Sequence, residues 1–308
     1  HELDFNQVAM DPVTGAIQGK RMWGEVSLAR ENLLPFLYKL HYSMHIPDGF
    51  GVELGLLFMG IVGIVWVLDS FVALWISFPS RHAWRKSLAF RWRQGGYKLN
   101  FDLHRSGGVW IWLLLLTLAV TSVSMNLGFQ VVRPLVEQFS PLTPSPFATR
   151  TPVESAVPAL GREQILALAQ QAAVDRQLTD PVGGVFYSPA FDVYGVGFFQ
   201  PGNGHGDGGL GNPRLYFDGQ TGAVVGAEIP GTGSAGDIFM QAQFPLHSGR
   251  IAGVTGRVIV SVLGVLVAVL SATGIVIWWR KRVSRQASRQ RRASGVVVDK
   301  SLKALTAE

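Results

Sequence analysis

Three histidines, each directly preceded by a leucine, stand shortly before the long apolar runs of this sequence. They are His41, His104 and His247. An imidazole nitrogen is a good axial ligand for haem iron, and a low-spin haem that transfers electrons needs two such ligands, which facing helices can supply. The pattern therefore predicts haem ligation, with each imidazole at the end of the membrane helix that follows it. The alternative for any one histidine is a ring that lies among the lipid headgroups without binding a metal.

The apolar runs must position these histidines. They are expected to form membrane helices at residues 52–79, 108–128 and 251–280, because about 20 apolar residues cross a hydrocarbon core of about 30 Å. Hydrophobic residues make up 48% of the chain and charged residues 16%, whereas soluble domains have about 25% charged residues. The predicted fold class is a mainly α-helical membrane protein, a transmembrane helix bundle with a smaller polar domain.

The distribution of basic residues orients the predicted helices. The link at residues 80–107 carries seven basic residues and one acidic residue, and the tail at 281–308 is also basic. Basic loops stay in the cytoplasm, so the segment 1–51 and the region 129–250 are predicted to lie in the periplasm of a bacterium, with the helices in its inner membrane. Three crossings with an N-terminus outside predict a fourth helix upstream. Beyond the last helix the tail is expected to be disordered.

The polar region 129–250 has the pattern of a small α+β domain. Residues 161–177 have helical spacing of apolar side chains, and residues 185–199 are rich in aromatic and β-branched residues that favour strands. A glycine-rich loop at 201–213 follows, and residues 214–229 are typical of a strand hairpin. One helix and several strands in this order predict a single periplasmic α+β unit.

A short motif, D-x-x-T-G-A-x-x-G, occurs twice, at residues 11–19 and 218–226. In both places it lies between strand-like runs, where the aspartate can cap its own backbone and the glycine can adopt a positive φ in a hairpin turn. The repeat has two interpretations. It can be two favourable turns, or it can be two copies of one small module, in which case residues 1–35 would pack beside 129–245.

A fourth histidine, His45, is a further candidate for cofactor binding. It follows His41 by four residues, so the two rings could share one face of a helix. Pro47 indicates that this helix ends nearby. His45 is therefore a candidate second outer ligand, a candidate substrate contact, or neither.

Several charged or titratable residues have less specific patterns. Asp69 falls at membrane depth, where carboxylates are costly and often functional, although a position near the inner interface is the alternative. Arg257 could pair with a haem propionate or with Glu53, or extend to the interface. His205, in the glycine-rich loop, and His82, among basic residues, are expected to be exposed.

The composition excludes several classes of chemistry. The chain has no cysteine, which excludes disulfides, iron–sulfur clusters, thiolate zinc sites and covalent attachment of a c-type haem. The net charge of +6 does not indicate nucleic-acid binding, because the basic residues cluster beside the membrane segments. There is no glycine-rich nucleotide fingerprint or flavin signature, so electrons must come from another protein or a diffusible carrier.

The stretches 40–51, 101–110 and 246–257, together with the Trp-Trp-Arg-Lys-Arg end of the last helix, resemble the PepSY-associated transmembrane proteins of bacterial inner membranes. The two D-x-x-T-G turns resemble those of PepSY modules. The resemblance covers nearly the whole chain, and it rests on the order of short motifs. The family includes ferric-siderophore reductases, which resemble four-helix membrane cytochromes that carry b-type haems.

The resemblance implies two haems b in the intact protein. His41 and His247 match the outer ligands and His104 matches an inner ligand, whose partner is a histidine on a first helix that this sequence lacks. His45 and Asp69 lie outside the family pattern. The implied function is to carry electrons from a cytoplasmic donor to a ferric siderophore in the periplasm, and the implied partners are membrane lipid, that siderophore and the donor.

Two other functions remain open from the sequence. PepSY modules also resemble regulatory domains, so the chain could be a membrane-anchored module that binds peptides or proteases without redox activity. A permease is a third possibility, which the small number of charges in the membrane segments disfavours.

Overall fold

The computed structural model describes residues 4–11 and 13–305. Its helices and strands are, in chain order, β1 (Gln7–Met10), β2 (Ile17–Arg21), α1 (Leu33–Ser43), α2 (Leu54–Ser77), α3 (Trp84–Leu88), α4 (Gly96–Trp110), α5 (Trp112–Leu127), α6 (Arg133–Glu137), α7 (Arg162–Asp175), β3 (Val182–Ser188), β4 (Val193–Phe198), β5 (Arg214–Asp218), β6 (Val224–Glu228), α8 (Ala235–Ser248) and α9 (Gly253–Leu305).

Within these described residues, three helical segments are long and apolar enough to cross a membrane, Leu54–Ser77, Trp112–Glu137 and Arg250–Gln290. They confirm the prediction of a mainly helical membrane protein with three spans. The second span begins at Trp112 because Ile111 leaves helical geometry, with φ −104° and ψ 9°, and so separates α4 from α5. It also continues through a π-helical turn and α6 to Glu137.

The prediction of a disordered tail is wrong for the described residues, because α9 continues without a break to Leu305. The segment after the apolar run is rich in arginine, lysine and alanine, which have high helix propensity. The polar composition indicated a solvated tail, but the high helix propensity of these residues extends α9 beyond the apolar run.

The chain divides into two compact units, residues 1–67 with 117–257 and residues 68–116 with 258–308. In the first unit the start of α2 packs closely against α5. A side chain at Gly60 would clash with Leu127, and a Cβ at Gly63 would lie 3.1 Å from Val123 Cγ2. Small residues allow membrane helices to approach each other closely, so these glycines fix the contact between the two helices.

The four strands β3 to β6 form one antiparallel sheet in the order of the sequence, and α7 packs on one face. The strands and helix predicted for this region are therefore confirmed. Alternate residues of β4 and β5 point toward the helix, as expected for period-two strands. The buried core that results contains Ile165, Ala169, Ala172, Ala173, Tyr194, Val196, Phe198, Leu215 and Phe217.

The two D-x-x-T-G turns have the same hydrogen bonds. Asp11 Oδ1 accepts the backbone N–H of Thr14 at 2.8 Å, and Asp218 Oδ1 accepts that of Thr221 at 2.8 Å. The glycine that follows each threonine has φ 71°. The hairpin of the first turn, β1 with β2, is a separate two-stranded sheet. The repeat is therefore a repeated turn, and its two hairpins do not join in one sheet.

Asp218 is expected to make the soluble domain sensitive to acid. Burial alone would raise its pKa, but the Arg150 guanidinium, the Thr221 and Gln220 amides and the Thr221 hydroxyl together lower the pKa to about 2. A lowered folded-state pKa means that the stabilisation is complete above the ordinary value of 3.8 and is lost as the pH falls toward 2. The loss is about 2 kcal/mol.

This loss is measured by urea unfolding at several pH values between 5 and 2, with far-UV circular dichroism as the signal of unfolding. Asp218→Asn should flatten the acid limb of the profile. Asp175→Asn, at an exposed carboxylate on α7 of the same domain, is the matched control, and it should leave that limb unchanged. An acid limb that Asp218→Asn does not alter would contradict the assignment.

Candidate functional site

The structure brings His41 and His247 together. The centres of their imidazole rings are 5.9 Å apart and the ring planes are tilted by 45°. His41 lies in the last turn of α1 and is exposed, whereas His247 lies in the last turn of α8 and is half-buried. The prediction that each imidazole stands at the end of a membrane helix is wrong, because each belongs to a short helix that precedes the membrane span.

A sharp corner after His247 turns the chain from α8 into α9. Gly249 ends α8 with φ 75°, in the left-handed region that favours glycine. A side chain at Gly249 or at Gly256 would collide with the backbone of the other. The corner therefore requires both glycines, and it holds the last turn of α8 against the first turn of α9.

The hydrogen bonds around Thr121 favour one tautomer of His247. The Thr121 hydroxyl donates to the Thr117 carbonyl at 2.8 Å, with the Leu118 carbonyl also in reach at 3.1 Å. When the single proton of the hydroxyl is used in either of these bonds, its oxygen accepts the third contact, from His247 Nδ1 at 3.0 Å. Nδ1 is then protonated, and Nε2 keeps the lone pair that binds a metal.

The environment of His247 also favours the neutral ring. Burial lowers the pKa of its imidazole, the neighbouring His41 lowers it further, and the Leu118 carbonyl acts in the opposite direction. A neutral imidazole is the form that ligates metals. The site therefore presents an unprotonated Nε2 at neutral pH.

His104, in the other compact unit, has the same type of arrangement. Its Nδ1 lies 3.0 Å from the Leu270 carbonyl and 3.3 Å from the Thr273 hydroxyl, which itself donates to Val269 at 2.8 Å. A carbonyl only accepts, so Nδ1 carries the proton and Nε2 is again free. Gly274 allows this approach, since a Cβ there would lie 3.0 Å from the imidazole Cε1.

A buried carboxylate lies two residues before His104. Asp102 is fully buried and accepts hydrogen bonds from Arg91 Nε and Nη2, both at 2.7 Å, and from the Arg91 backbone N–H at 3.0 Å. Arg105 Nη2 is 3.9 Å from the same carboxylate. The Arg91 guanidinium holds the pKa of Asp102 below its usual range. This ion pair ties the basic link to α4.

His45 does not share a helical face with His41. Helix α1 ends at Ser43, and Met44 and His45 have φ values of 53° and 54°, so the chain leaves the helix between the two histidines. His45 Nε2 donates to the Phe36 carbonyl at 2.9 Å, and its ring stacks on Phe36 at 4.8 Å. Only Nδ1 remains for a ligand, which makes His45 a structural residue in this geometry.

The remaining candidates have other surroundings. Asp69, His82 and His205 are exposed. Arg257 forms an ion pair with Asp207 of the glycine-rich loop at 3.1 Å, and the pairing with Glu53, one of its three alternatives, is not formed. Thr121 and Thr273 were missed by sequence reasoning, because a hydroxyl in an apolar helix also satisfies itself by bonding back to its own backbone.

His41 and His247 are the two residues that would hold a haem iron. A metal–nitrogen bond is about 2.0 Å long, and ring centres 5.9 Å apart are close enough for both imidazoles to bind one metal ion. Among the described residues there is no group of three or more His, Asp or Glu side chains that could hold a metal ion. A site with two strong nitrogen ligands suits a haem, whose porphyrin supplies the remaining ligands.

A comparison with protein families gives one match. The family model of the PepSY-associated transmembrane region matches residues 1–281, which includes the first two membrane spans, most of the third, the α+β domain and the histidines described above. No curated protein matches the chain.

Proposed function

The chain belongs to the family of PepSY-associated transmembrane regions, and we propose that it is a b-type haem protein that passes electrons across a bacterial inner membrane to reduce a ferric siderophore in the periplasm. The observation that carries this proposal is the pair His41 and His247, with ring centres 5.9 Å apart and Nε2 of His247 left free. The membrane spans supply the apolar surroundings that a porphyrin requires.

The chain's own residues would act as follows. His41 and His247 bind one haem iron through their nitrogens, and the bound haem supplies one-electron redox chemistry. Thr121 holds the proton on Nδ1 of His247, which fixes the orientation of that ring. His104, oriented by Leu270 and Thr273, would hold a second haem, whose other ligand the family resemblance assigns to a further helix.

The basic link and the basic tail support a cytoplasmic location for the electron donor and a periplasmic location for the α+β domain. The acceptor is a ferric ion held by the oxygen donors of a siderophore. Adding one electron to Fe(III) gives Fe(II), which hard oxygen donors hold poorly, so the reduction releases the metal. The siderophore is the substrate and is released without its iron.

The test is the pyridine haemochrome spectrum of the purified full-length protein, with the haem content per chain. The expected haemochrome spectrum is that of a b-type haem. In the native protein, the haem should be reduced by dithionite and then reoxidised by an added ferric hydroxamate siderophore. A colourless protein would overturn the proposal and favour the alternative, a membrane-anchored PepSY module that regulates or binds peptides without redox activity.

Replacing Thr121 by valine is expected to weaken haem binding by about 10- to 100-fold, the usual effect of losing a partner that orients a ligating histidine. Valine keeps the shape of threonine and removes the oxygen that accepts from His247 Nδ1. The measurements are haem affinity and the midpoint potential of the outer haem. Thr121→Ser, which keeps the hydroxyl, is the matched control, and equal behaviour of both variants and the wild type would contradict this role.

A further inference from the structure

The glycine-rich loop is fastened to the corner that follows His247. The backbone N–H of Gly208 donates to the Arg250 carbonyl at 2.8 Å, and that of Gly209 donates to the Ile251 carbonyl at 3.0 Å. From the same loop, the Asp207 carboxylate forms ion pairs with the side chains of Arg250 and Arg257. One loop carboxylate therefore meets two guanidinium groups at this corner.

Both arginines are close to the proposed iron ligand. Arg250 follows His247 by three residues, so their Cα atoms are at most about 11 Å apart. Arg257 lies in the first turn of α9, which the contact between Gly249 and Gly256 holds against the end of α8. The fold thus keeps both arginines at the corner that directly follows His247.

In the ion cluster, Arg250 and Arg257 share the carboxylate of Asp207. Two guanidinium groups face one carboxylate, and the side chains of Asp207 and Arg257 are 33% and 40% exposed. A partly exposed ion pair of this kind contributes little stability, so exchanging Asp207 for another carboxylate costs little. The cluster can therefore accept a further anion, and a carboxylate suits it because guanidinium binds carboxylates through paired hydrogen bonds.

We propose that Arg250 and Arg257 form the binding site for the two propionate groups of the haem held by His41 and His247, and that Asp207 is the counter-ion they hold when no haem is bound. This inference rests on the proposed function. A haem carries both carboxylates on one edge, and near a membrane these charges require cationic partners. Binding then exchanges the Asp207 carboxylate for the propionates and loosens the glycine-rich loop at its Asp207 contact.

The experiment compares haem b with its dimethyl ester, in which both propionates are neutral. Full-length protein is produced in a haem-deficient host, purified in detergent and titrated with each compound while the low-spin spectrum is recorded. The wild type is expected to bind haem b at least about tenfold more tightly than the ester, as for loss of a charge-assisted hydrogen bond. The ratio of the two affinities reports on the propionates alone.

The variants are expected to change that ratio in opposite directions. Arg257→Gln should lower it toward one and Arg257→Lys should keep part of it, whereas Asp207→Asn should raise it by removing the competing carboxylate. Arg214→Gln, in β5 of the same domain, is the control and should leave the ratio unchanged. If the cluster only held the loop in place, Arg257→Gln and Asp207→Asn would weaken the binding of both compounds equally. This result would overturn the inference.

The wild-type comparison alone distinguishes the two proposals, even if a variant fails to fold. If the wild type binds the ester as tightly as haem b, the propionates lie elsewhere and this inference is wrong, while the haem proposal stands. If it binds neither compound with a low-spin spectrum, the proposed function itself fails. Release of the loop is checked independently by proteolysis of the 201–213 segment, which should become faster when haem b binds and should not change with the ester.

Discussion

His247→Ala and His41→Ala are each expected to abolish the same haem signal and to stop reduction of a ferric siderophore in the periplasm. The two rings lie 5.9 Å apart on α1 and α8, and an iron between them needs both nitrogens to remain low-spin. Alanine at either position removes one ligand and provides no substitute. The expected result is loss of the haem, or an open axial position with a high-spin spectrum, in both variants.

The loss should reflect ligation and not unfolding. After His247→Ala, the Thr121 hydroxyl still donates to the Thr117 carbonyl at 2.8 Å, so no buried donor is left unpaired. His41 is exposed, and its removal leaves no cavity in a core. Far-UV circular dichroism and gel filtration of both variants should therefore match the wild type while the haem signal is lost.

The measurement is a reduced-minus-oxidised spectrum with haem content for each variant. His205→Ala is the matched control, because this exposed ring lies in the loop and not in the pair. His45→Ala should be milder than either ligand variant, since its Nε2 is bonded to the Phe36 carbonyl at 2.9 Å. Full haem content and an unchanged low-spin spectrum in His247→Ala would show that His247 is not a ligand.

The proximity of His41 and His247 was predictable. Both follow a leucine before an apolar run, and the distribution of basic residues predicts that both lie at the same membrane surface. The two short helices that carry these histidines, α1 and α8, were not predictable. Helix α8 contains Pro245, which ordinarily indicates a break, although the capping box formed by Ser234 and Asp237 was a readable signal for its start.

The partners of the histidines could not be predicted from the sequence. Thr121 and His247 are 126 residues apart, and His104 and Thr273 are 169 residues apart. No local pattern connects residues at such distances, because the contact depends on how two helices pack. The same is true of Asp207, whose partner Arg250 is 43 residues away. Local propensity predicted the strands, the turns and the spans, and tertiary packing determined the site.

Asp102→Asn is the second variant expected to have a large effect, on stability and not on the outer haem. The Asp102 side chain is 1% exposed and accepts two hydrogen bonds from the Arg91 guanidinium and one from its backbone N–H. Asparagine keeps the size of the side chain but loses its charge, and its amide group would face the donors of Arg91. Removing one partner of a buried ion pair costs about 3–5 kcal/mol.

The expected loss lies at the lower end of that range, about 3 kcal/mol, because the Arg91 side chain is 43% exposed and water can hydrate its charge. The pH dependence has a definite sign. The hydrogen bonds from Arg91 lower the folded-state pKa of Asp102, so the stabilisation is complete above the ordinary aspartate pKa of about 4. It is lost as the pH falls through the lowered value.

Thermal unfolding in detergent, together with limited proteolysis of the 80–95 link, measures this effect. The link should be cut faster in Asp102→Asn than in the wild type, because the ion pair that fastens it to α4 is gone. Asp175→Asn, an exposed carboxylate on α7, is the control and should change neither measurement. The haem signal proposed for His41 and His247 should be unchanged in Asp102→Asn, since the ion pair and the histidine pair belong to different compact units. An Asp102→Asn protein as stable as the wild type at neutral pH would mean that this buried pair contributes specificity without stability.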